Sequence, residues 1–314
     1  LDLRMPGLDG FSLIRQLSVR VPEGQFLPIV VVSGDLSPEA KQKALALGAA
    51  DFIEKPYDRT EVYLRVRNLL RTRDLTARLE ERIHERTRDL AAAEVEVAKR
   101  LAFAAEVRDY RDGAHVQRVG RTSAHIARML GLAGDQVDLI RHAAPLHDIG
   151  KIAIPDTVLL KPEVLTLEEW DLMKTHTTLG SQMLAGSRSP ILQLAEEIAL
   201  YHHENWDGTG YTPGLSGDEI PLAGRIVAVA DVFDALTHQR PYKRVWSQQE
   251  AIDWMQMMRG QKFDPAVLDA LLAILQSPEP FEPHGELSTN WLGFPADALR
   301  PASPTEAGAA LPLL

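Results

Sequence analysis

Hydrophobic and polar residues recur along this chain with two different periods, which separates an α/β region from helical ones. In residues 1–70, the apolar runs at 28–33 and 51–54 are short and bounded by turn residues, as is typical of buried strands. Between them, Ser37 followed by a proline predicts a helix start, and Gly48 predicts its end. This strand–helix–strand order predicts part of an α/β sheet.

Residues 58 to about 105 are predicted to form one long helix, because they are rich in Arg and Glu and contain neither Gly nor Pro. A mostly apolar row recurs every seven residues, but arginines interrupt the second row that a coiled coil requires. Two interpretations stay open: a helix that pairs loosely in a homodimer, or a solvated helix with one apolar stripe. The first row is Leu69, Thr76, Ile83, Leu90 and Val97, and the second is Leu79, Arg86, Ala93 and Arg100.

The region from about 106 to 276 has a helical pattern throughout. Thr166 with Glu169 and Ser247 with Glu250 have the spacing of capping boxes, and Gly, Pro and Asp cluster in loops predicted at 150–165 and 206–221. After Ser277 the chain is rich in Pro and small residues, which predicts an irregular tail. The predicted domains are therefore 1–70 (α/β), 71–105 (linker helix), 106–276 (all-α) and 277–314 (tail).

Composition narrows the chemistry that this chain can perform. It contains no cysteine, which excludes disulfides, zinc fingers and thiol catalysis and leaves His and carboxylates as metal ligands. Its formal net charge of −10 disfavours binding to DNA or RNA polymers. No apolar run approaches the roughly 20 residues of a membrane helix, and no signal peptide opens the chain, so we expect a soluble, cytoplasmic protein.

Histidines and aspartates recur through the helical region at the ends of predicted helices. Five neutral imidazoles with two carboxylates exceed what one tetrahedral ion binds. They suit two metals that share a bridging carboxylate, an arrangement that activates water against a phosphodiester. The candidate ligands are His115, His147, Asp148, His176, His202, His203 and Asp231, while His84, His125, His142, His238 and His284 are interpreted as structural or surface residues.

Two of these sites have informative local sequence. His147 and Asp148 follow an apolar helix and precede Gly150, which would let a substrate approach, and Lys151. Burial of such polar groups requires partners, and a metal supplies them. Adjacent helical residues point about 100° apart, so His202 and the next histidine reach one ion only where their helix unwinds.

The N-terminal residues resemble the second half of a response-regulator receiver domain. The resemblance rests on Asp2-Leu3-Arg4-Met5-Pro6-Gly7-Leu8-Asp9-Gly10, on Ser33 at a strand end and on Lys55-Pro56. It implies that Asp2 is the phosphoacceptor, that Ser33 and Lys55 support it, that Phe52 is the aromatic switch position, and that the Lys55–Pro56 bond is cis. The alternative is a generic α/β domain with a Met-Pro loop.

The receiver pattern departs from the family at its beginning. The first strand and the acidic pair that binds Mg²⁺ are missing from the sequence, so we expect a fragment of a longer protein, and no phosphorylation at Asp2 in this chain. The intact receiver would bind Mg²⁺ and accept phosphate from a sensor histidine kinase.

The helical region resembles the HD-GYP family, a branch of the HD phosphohydrolases that hydrolyses cyclic di-GMP. The motifs are His115 with Arg118-Val119, His147-Asp148-Ile149-Gly150-Lys151, Lys161-Pro162 with Leu165-Thr166, Lys174-x-His176, His202-His203-Glu204-x-Trp206-Asp207-Gly208, Asp231-Val232-Phe233-Asp234-Ala235-Leu236, Arg240-Pro241-Tyr242-Lys243 with Trp246, and Phe263-Asp264-Pro265. So many elements in one order predict the HD-superfamily all-α fold.

The resemblance also implies a role for each matching residue. One metal would be held by His115, His147, Asp148 and Asp231, and the other by His176, His202 and His203, with Asp148 bridging. A bridging hydroxide would attack the phosphodiester. Asp148 and Lys151 would be catalytic, Lys151 by holding the scissile phosphate or protonating the leaving oxygen. The cyclic di-GMP contacts would be Tyr211, Arg240 and Lys243.

Two departures and two alternatives accompany this interpretation. Thr212 stands where the motif has proline, and Arg111 stands where some members have a glutamate for a third metal, so a two-metal site is expected. The ligand types favour iron or manganese, and zinc is also compatible. The alternatives to a phosphodiesterase are a non-catalytic module that binds cyclic di-GMP or a protein, and a hydrolase of another cyclic dinucleotide.

Overall fold

The fold was analysed in a computed structural model, which describes residues 1–5, 8–20, 27–35, 37–108, 114–238 and 245–277. The chain divides into two compact units, Leu1–Ala91 and Ala92–Leu314. Among the helices of the described ranges, none is both long and apolar enough to cross a membrane.

The first unit is an α/β unit built on a parallel strand pair. β3 and β4 are aligned from Val30 opposite Asp51 to Ser33 opposite Glu54. The backbone of Leu1 exchanges hydrogen bonds of 2.8 Å and 2.7 Å with Val30 and Val32, so the first residues lie along the free side of β3. The elements are β1 (Arg4–Met5), β2 (Leu8–Asp9), α1 (Gly10–Arg20), β3 (Val30–Ser33), α2 (Pro38–Ala46) and β4 (Asp51–Glu54).

The predicted strand–helix–strand order of this unit is confirmed. Ser37 is the N-cap of α2, and its side chain accepts a hydrogen bond from the amide of Ala40. Gly48, just past the helix, has φ of 105°, a conformation that glycine adopts without strain. The buried core of this unit contains Leu3, Ile14, Val31, Ala40, Ala44, Ala49 and Phe52.

A single helix of 50 residues, α3 (Arg59–Arg108), follows. It agrees with the predicted long helix and extends it by one turn. The apolar row is exposed along its middle, where Ile83 is 63% and Leu90 is 67% exposed. Only near its C-terminal end does α3 bury residues, namely Ala98, Ala102, Ala105 and Glu106.

In the described residues of the second unit, the secondary-structure elements are helices, as predicted. Its core is formed by residues of several helices, including Ile126, Ile198, Ile226, Met255 and Leu268. The helices are α4 (Ala114–Met129), α5 (Gly134–Ala143), α6 (Asp156–Leu159), α7 (Leu167–Lys174), α8 (His176–Leu184), α9 (Pro190–Tyr201), α10 (Leu222–Thr237), α11 (Gln248–Met257) and α12 (Pro265–Gln276), with 3₁₀ helices at Ala144–Leu146, Ile149–Ala153 and Gly217–Glu219.

Helix starts agree with the sequence patterns better than loops do. Both predicted capping boxes, at Thr166 and Ser247, are present. The region 150–165, however, is not a continuous loop, because it contains the end of the 3₁₀ helix Ile149–Ala153 and all of α6. Its Gly and Pro residues stand near the ends of short helical turns and do not prevent these turns from forming.

Candidate metal centre

The seven candidate ligands come from separate segments that meet in the second unit. His115 lies on α4 and Asp231 on α10, whereas the other ligands lie at helix ends. His147 directly follows the 3₁₀ helix Ala144–Leu146, and His176 is the first residue of α8. His202 is the C-cap of α9, so the two adjacent histidines stand where the helix ends, as the geometry of adjacent residues requires.

Asp148 lies at the centre of two overlapping groups of possible metal ligands. In one group, potential ligand atoms of Asp148, His176, His202 and His203 all lie within 4.8 Å of one another. Asp148 Oδ1 is 3.3 Å from His176 Nε2 and 3.7 Å from His202 Nε2.

His115, His147 and Asp148 form the first ligand group under the same distance limit, and the group with His176, His202 and His203 is the second ligand group. Asp148 Oδ2 is 3.2 Å from His147 Nε2. Asp231 adjoins the first ligand group, because its Oδ1 is 3.4 Å from His115 Nε2 and 3.9 Å from His147 Nε2. The two groups share Asp148, which is the arrangement that a bridging carboxylate would need.

The hydrogen bonds of the imidazoles leave the nitrogen that faces the centre available to a metal. Nδ1 bonds to a backbone carbonyl in His147 (Ala144, 2.9 Å), His176 (Met173, 2.8 Å) and His202 (Ile198, 3.0 Å). A carbonyl can only accept, so Nδ1 carries the hydrogen and Nε2 presents a lone pair. This outer hydrogen bond is the usual way in which proteins orient a histidine ligand.

The same Nε2 atoms test whether a metal fits. In His147, His176 and His202, Nε2 is buried and makes no hydrogen bond within the described ranges, and neither does Asp148 Oδ1. Buried polar atoms without a partner lower the stability of the fold. A divalent cation can accept lone pairs from imidazole nitrogens and carboxylate oxygens at the same time. The donor set therefore fits two metal ions.

The pKa shifts favour the metal-binding forms of His176, His203 and Asp148, whereas the carboxylates around His147 favour its protonated form. Burial lowers the pKa of His176 to about 4, and it lowers the pKa of His203 well below its usual range. Burial also opposes protonation of His147, but Asp148 and Asp231 outweigh it and raise that pKa. For Asp148, burial favours the neutral acid, yet Lys151 and His147 hold its pKa well below the ordinary value.

Lys151 lies against the shared carboxylate, with Nζ 2.8 Å from Asp148 Oδ2. The preceding Gly150 has a reason other than the predicted approach of a substrate. A Cβ at Gly150 would lie 1.9 Å from the His176 carbonyl oxygen and 2.5 Å from the Gly180 amide. The glycine is therefore required for the close packing of α8, and our interpretation of it as substrate clearance was wrong.

Tyr211 lies beside the second ligand group. Its ring stacks on His203 with centroids 4.8 Å apart, and it makes an edge-to-face contact with Trp170 at a centroid distance of 6.2 Å. The Thr212–Pro213 bond that follows is cis, and Glu204 anchors the loop by accepting a 2.7 Å hydrogen bond from the Gly214 amide. Arg240, Lys243 and Arg111 lie outside the described residues.

Sequence reasoning missed several residues that support the centre. Asp234 accepts a 2.6 Å hydrogen bond from His115 Nδ1 and also pairs with Arg118, which lowers the pKa of the buried carboxyl despite its burial. His238, interpreted as unremarkable, has Nδ1 3.1 Å from the same carboxylate. The spacing of three residues from His115 to Arg118 and from Asp231 to Asp234 places each pair on one helix face, a signal that could have revealed this contact.

Lys262 was also missed. It follows α11, and its Nζ is 3.3 Å from the Asn205 side-chain oxygen, while its backbone oxygen accepts from the Trp206 amide. Burial lowers its pKa, and Asp231 and Asp207 partly oppose that shift. Lys262 thus attaches the loop that follows the histidine pair.

In the first unit, the receiver-like residues also come together. Lys55 Nζ is 2.6 Å from Asp2 Oδ2, and its hydrogen bond lowers the pKa of Asp2. Ser33 is buried and its hydroxyl accepts from the Asp35 amide, and Phe52 is buried. The Lys55–Pro56 bond is cis, as the resemblance predicted.

Comparison with known proteins accounts for both units. Residues 96–267 match the family model described as the HD domain, and residues 1–67 match that of the response regulator receiver domain. RpfG of Xanthomonas campestris pv. campestris, a cyclic di-GMP phosphodiesterase response regulator, is 43% identical over 279 residues, covering 87% of this chain and 74% of that protein. The chain belongs to the HD-GYP family.

Other relatives are similar over different lengths. A cyclic di-GMP phosphodiesterase of Thermotoga maritima is 39% identical over 287 residues, covering 87% of this chain and 77% of that protein. A 3'3'-cGAMP-specific phosphodiesterase 2 of Vibrio cholerae is 44% identical over 184 residues, covering 59% of this chain and 35% of that protein. The seven ligand candidates all lie within the HD-domain match, and Asp2, Ser33 and Lys55 lie within the receiver match.

Proposed function

We propose that this chain is a metal-dependent phosphodiesterase that hydrolyses cyclic di-GMP and acts as a response regulator of two-component signalling. The observation that carries the proposal is the pair of overlapping His/Asp groups that share Asp148, with lone pairs of His147, His176 and His202 directed inward. Relatives that align with most of this chain are named as cyclic di-GMP phosphodiesterases, which supports the substrate.

We assign the metal ligands as the resemblance implies. His115, His147, Asp148 and Asp231 would hold one ion, and His176, His202 and His203 the other, with Asp148 shared. When bound, two divalent ions supply charge neutralisation at the phosphodiester and lower the pKa of a water nucleophile. Iron or manganese suits the nitrogen-rich donor set, and zinc is compatible with it.

The chain's own residues then orient the substrate. Lys151 is a cation 2.8 Å from Asp148, so it is positioned to donate a hydrogen bond to a phosphate oxygen or a proton to the leaving oxygen. Tyr211, stacked on His203, supplies a flat aromatic surface beside the ligands for a guanine base. Arg240 and Lys243 are proposed, from the sequence motif, to bind the base and the second phosphate.

The remaining parts of the proposal concern regulation. A sensor histidine kinase would phosphorylate the intact receiver domain, which would use Mg²⁺, and α3 would join two copies in a homodimer. A cytoplasmic location follows from this function, since the kinase output and the dinucleotide would both have to reach the protein there. The predicted domain limits at 70, 105 and 276 are retained as part of this proposal.

A second substrate deserves a direct comparison. The 3'3'-cGAMP-specific relative is 44% identical over 184 residues and RpfG is 43% identical over 279 residues, so sequence identity alone does not separate the two dinucleotides as substrates.

The test is metal analysis of the purified protein together with hydrolysis of both cyclic dinucleotides. We expect two metal ions per chain and a kcat/KM that favours cyclic di-GMP. A higher kcat/KM for 3'3'-cGAMP would make that dinucleotide the proposed substrate in place of cyclic di-GMP. Binding of cyclic di-GMP without turnover in metal-loaded protein would support the non-catalytic module instead.

A further inference from the structure

The C-terminal residue of α3 contacts the segment that carries Lys151. Arg108 Nη1 donates to the carbonyl oxygens of Ile152 and, at 3.4 Å, of Lys151. Its Nη2 donates to the Ile154 carbonyl at 3.1 Å and to the Asp156 carboxylate. One guanidinium thus spans the chain from the 3₁₀ helix Ile149–Ala153 to the first residue of α6.

The Lys151 carbonyl also accepts a 3.1 Å hydrogen bond from the Ile154 amide, whereas the Ile152 and Ile154 carbonyls lie at the end of the 3₁₀ helix and just past it. The last carbonyls of a helical segment have no partner within it, and they form the negative end of its dipole. A planar guanidinium can bind several of them at once, which a lysine ammonium at the same position could not do in the same geometry. The exposed ion pair with Asp156 contributes little by comparison, because Asp156 is 69% exposed.

The same end of α3 also borders the metal centre. Ala102, Ala105 and Glu106 line a cavity together with His147 and Lys151. The Glu106 carboxylate is buried and accepts a 3.4 Å hydrogen bond from the Val116 amide, next to His115 at the start of α4. The end of α3 therefore contacts the segments on both sides of the first ligand group.

We infer that Arg108 is a positioning residue for Lys151. By fixing the carbonyls that follow Lys151, Arg108 sets where the ammonium stands relative to Asp148. Apart from Asp148, which is the N-cap of this 3₁₀ helix, and His147 before it, the metal ligands lie on other segments. The Arg108 contact lies at the opposite end of the 3₁₀ helix from Asp148, so it should affect the chemical step more than metal binding. This inference rests on the proposed function, since it assigns Lys151 a part in that reaction.

The test compares Arg108→Ala and Arg108→Lys with Arg100→Ala. Arg100 is a suitable control because it lies on the same helix and, within the described residues, its ion pair is an exposed one with Glu96, one turn away. Metal content, kcat and KM are measured for each full-length protein. Hydrogen–deuterium exchange is followed in residues 149–156.

We expect Arg108→Ala to lower kcat on the order of 10-fold or more, since small misplacements of a catalytic group have effects of this size. Metal content should stay the same, KM should change less than about twofold, and exchange in 149–156 should rise. Arg108→Lys should recover part of kcat, and Arg100→Ala should match the wild type.

Three outcomes would decide against the inference or its premise. Wild-type kcat and exchange in Arg108→Ala would overturn it, and so would a loss of metal that parallels the loss of kcat in both Arg108 variants. A wild-type protein that binds metal but hydrolyses neither dinucleotide would instead refute the proposed function. If the wild type is inactive, hydrogen–deuterium exchange in residues 149–156 still tests the Arg108 contact. Exchange that rises in the Arg108 variants and not in Arg100→Ala supports the role of Arg108 in fixing this segment, and unchanged exchange overturns that role.

Discussion

Four imidazoles at the centre, those of His115, His147, His176 and His202, are held by a hydrogen bond on the outer nitrogen. For His147, His176 and His202, that bond goes to a carbonyl within four residues, so the local backbone fixes the tautomer. For His115 the acceptor is the Asp234 carboxylate, 119 residues away. The two kinds of support lead to different predictions.

Replacing His147 and Asp148 together by alanine should remove two ligands of the first group, one of which is the carboxylate that both groups share. We expect loss of both metal ions and of hydrolysis, with the helical circular dichroism spectrum largely unchanged. The matched control is His142→Ala, because His142 also bonds a backbone carbonyl (Asp138, 2.8 Å) but is half-buried on α5 and belongs to neither ligand group. Full activity in the double variant would refute the ligand assignment.

Asp234→Asn tests the long-range support of His115. The amide can donate to His115 Nδ1, which would shift the hydrogen of that ring to Nε2, the atom 3.4 Å from Asp231. We expect metal affinity to fall about 10- to 100-fold in a titration. Unfolding free energy should fall by about 3 kcal/mol, because buried Arg118 loses its carboxylate.

The control for Asp234→Asn is Asp269→Asn. Asp269 forms a bidentate pair with Arg259, but both side chains are about half exposed. Only a small change in stability is expected there, about 0.5 kcal/mol, and none in metal affinity. Equal metal affinity in the Asp234 variant and the wild type would show that the carboxylate does not orient His115.

The seven candidate ligands could be found from sequence because each lies in a short motif of adjacent chemistry. Asp234 was given no role, because the spacing from Asp231 shows only which helix face it shares, and its partners on α4 are brought close by the packing of α4 and α10. Lys262 carried no signal at all, since its contact with Asn205 depends on where the loop after α9 lies. Ligands in short local motifs could therefore be predicted from the sequence, whereas contacts between residues on distant segments could not.

At the scale of elements, the centre depends on how closely α8 packs against the 3₁₀ helix Ile149–Ala153. The contact has no room for a side chain at Gly150, and it brings His176 beside Asp148. The capping boxes and the strand–helix–strand order followed from residue patterns. The short helices within 150–165 did not, because Gly and Pro signal turns of either kind.

Gly150→Ala tests this packing. The new Cβ would meet backbone atoms, which cannot move aside as a side chain can, so we expect a loss of unfolding free energy of about 2 kcal/mol or more. Metal content should fall as well, since His176 would be displaced. Chemical denaturation and metal analysis measure the two effects.

Gly134→Ala is the control for this substitution. A Cβ at Gly134, the first residue of α5, would meet no atom within 4 Å. Alanine there should be neutral or stabilise by about 0.5 kcal/mol, because it restricts the unfolded chain. If both variants behaved alike, the close approach at Gly150 would not explain the glycine.

At the scale of the whole molecule, α3 is the element that continues from one unit into the other. Its exposed apolar row is costly to leave in water, and a second copy of the helix would cover it. Arginines at 86 and 100 weaken the pairing without preventing it, because their long aliphatic parts can pack beside the row. Sequence periodicity therefore predicted the helix, while its pairing is left to experiment.

We predict that the 34.8 kDa chain sediments as a dimer at micromolar concentration and that Ile83→Asp with Leu90→Asp converts it to a monomer. The two new carboxylates would lie in the apolar row, opposite the same two carboxylates of the partner helix. Both the desolvation of these charges and their mutual repulsion oppose pairing. Metal content should not change, since both positions lie outside the second unit.

The control variant is His84→Asp with Ala91→Asp, which adds the same charges at the same spacing on the neighbouring row. This variant should remain a dimer. A wild-type chain that is monomeric at these concentrations would rule out pairing through α3.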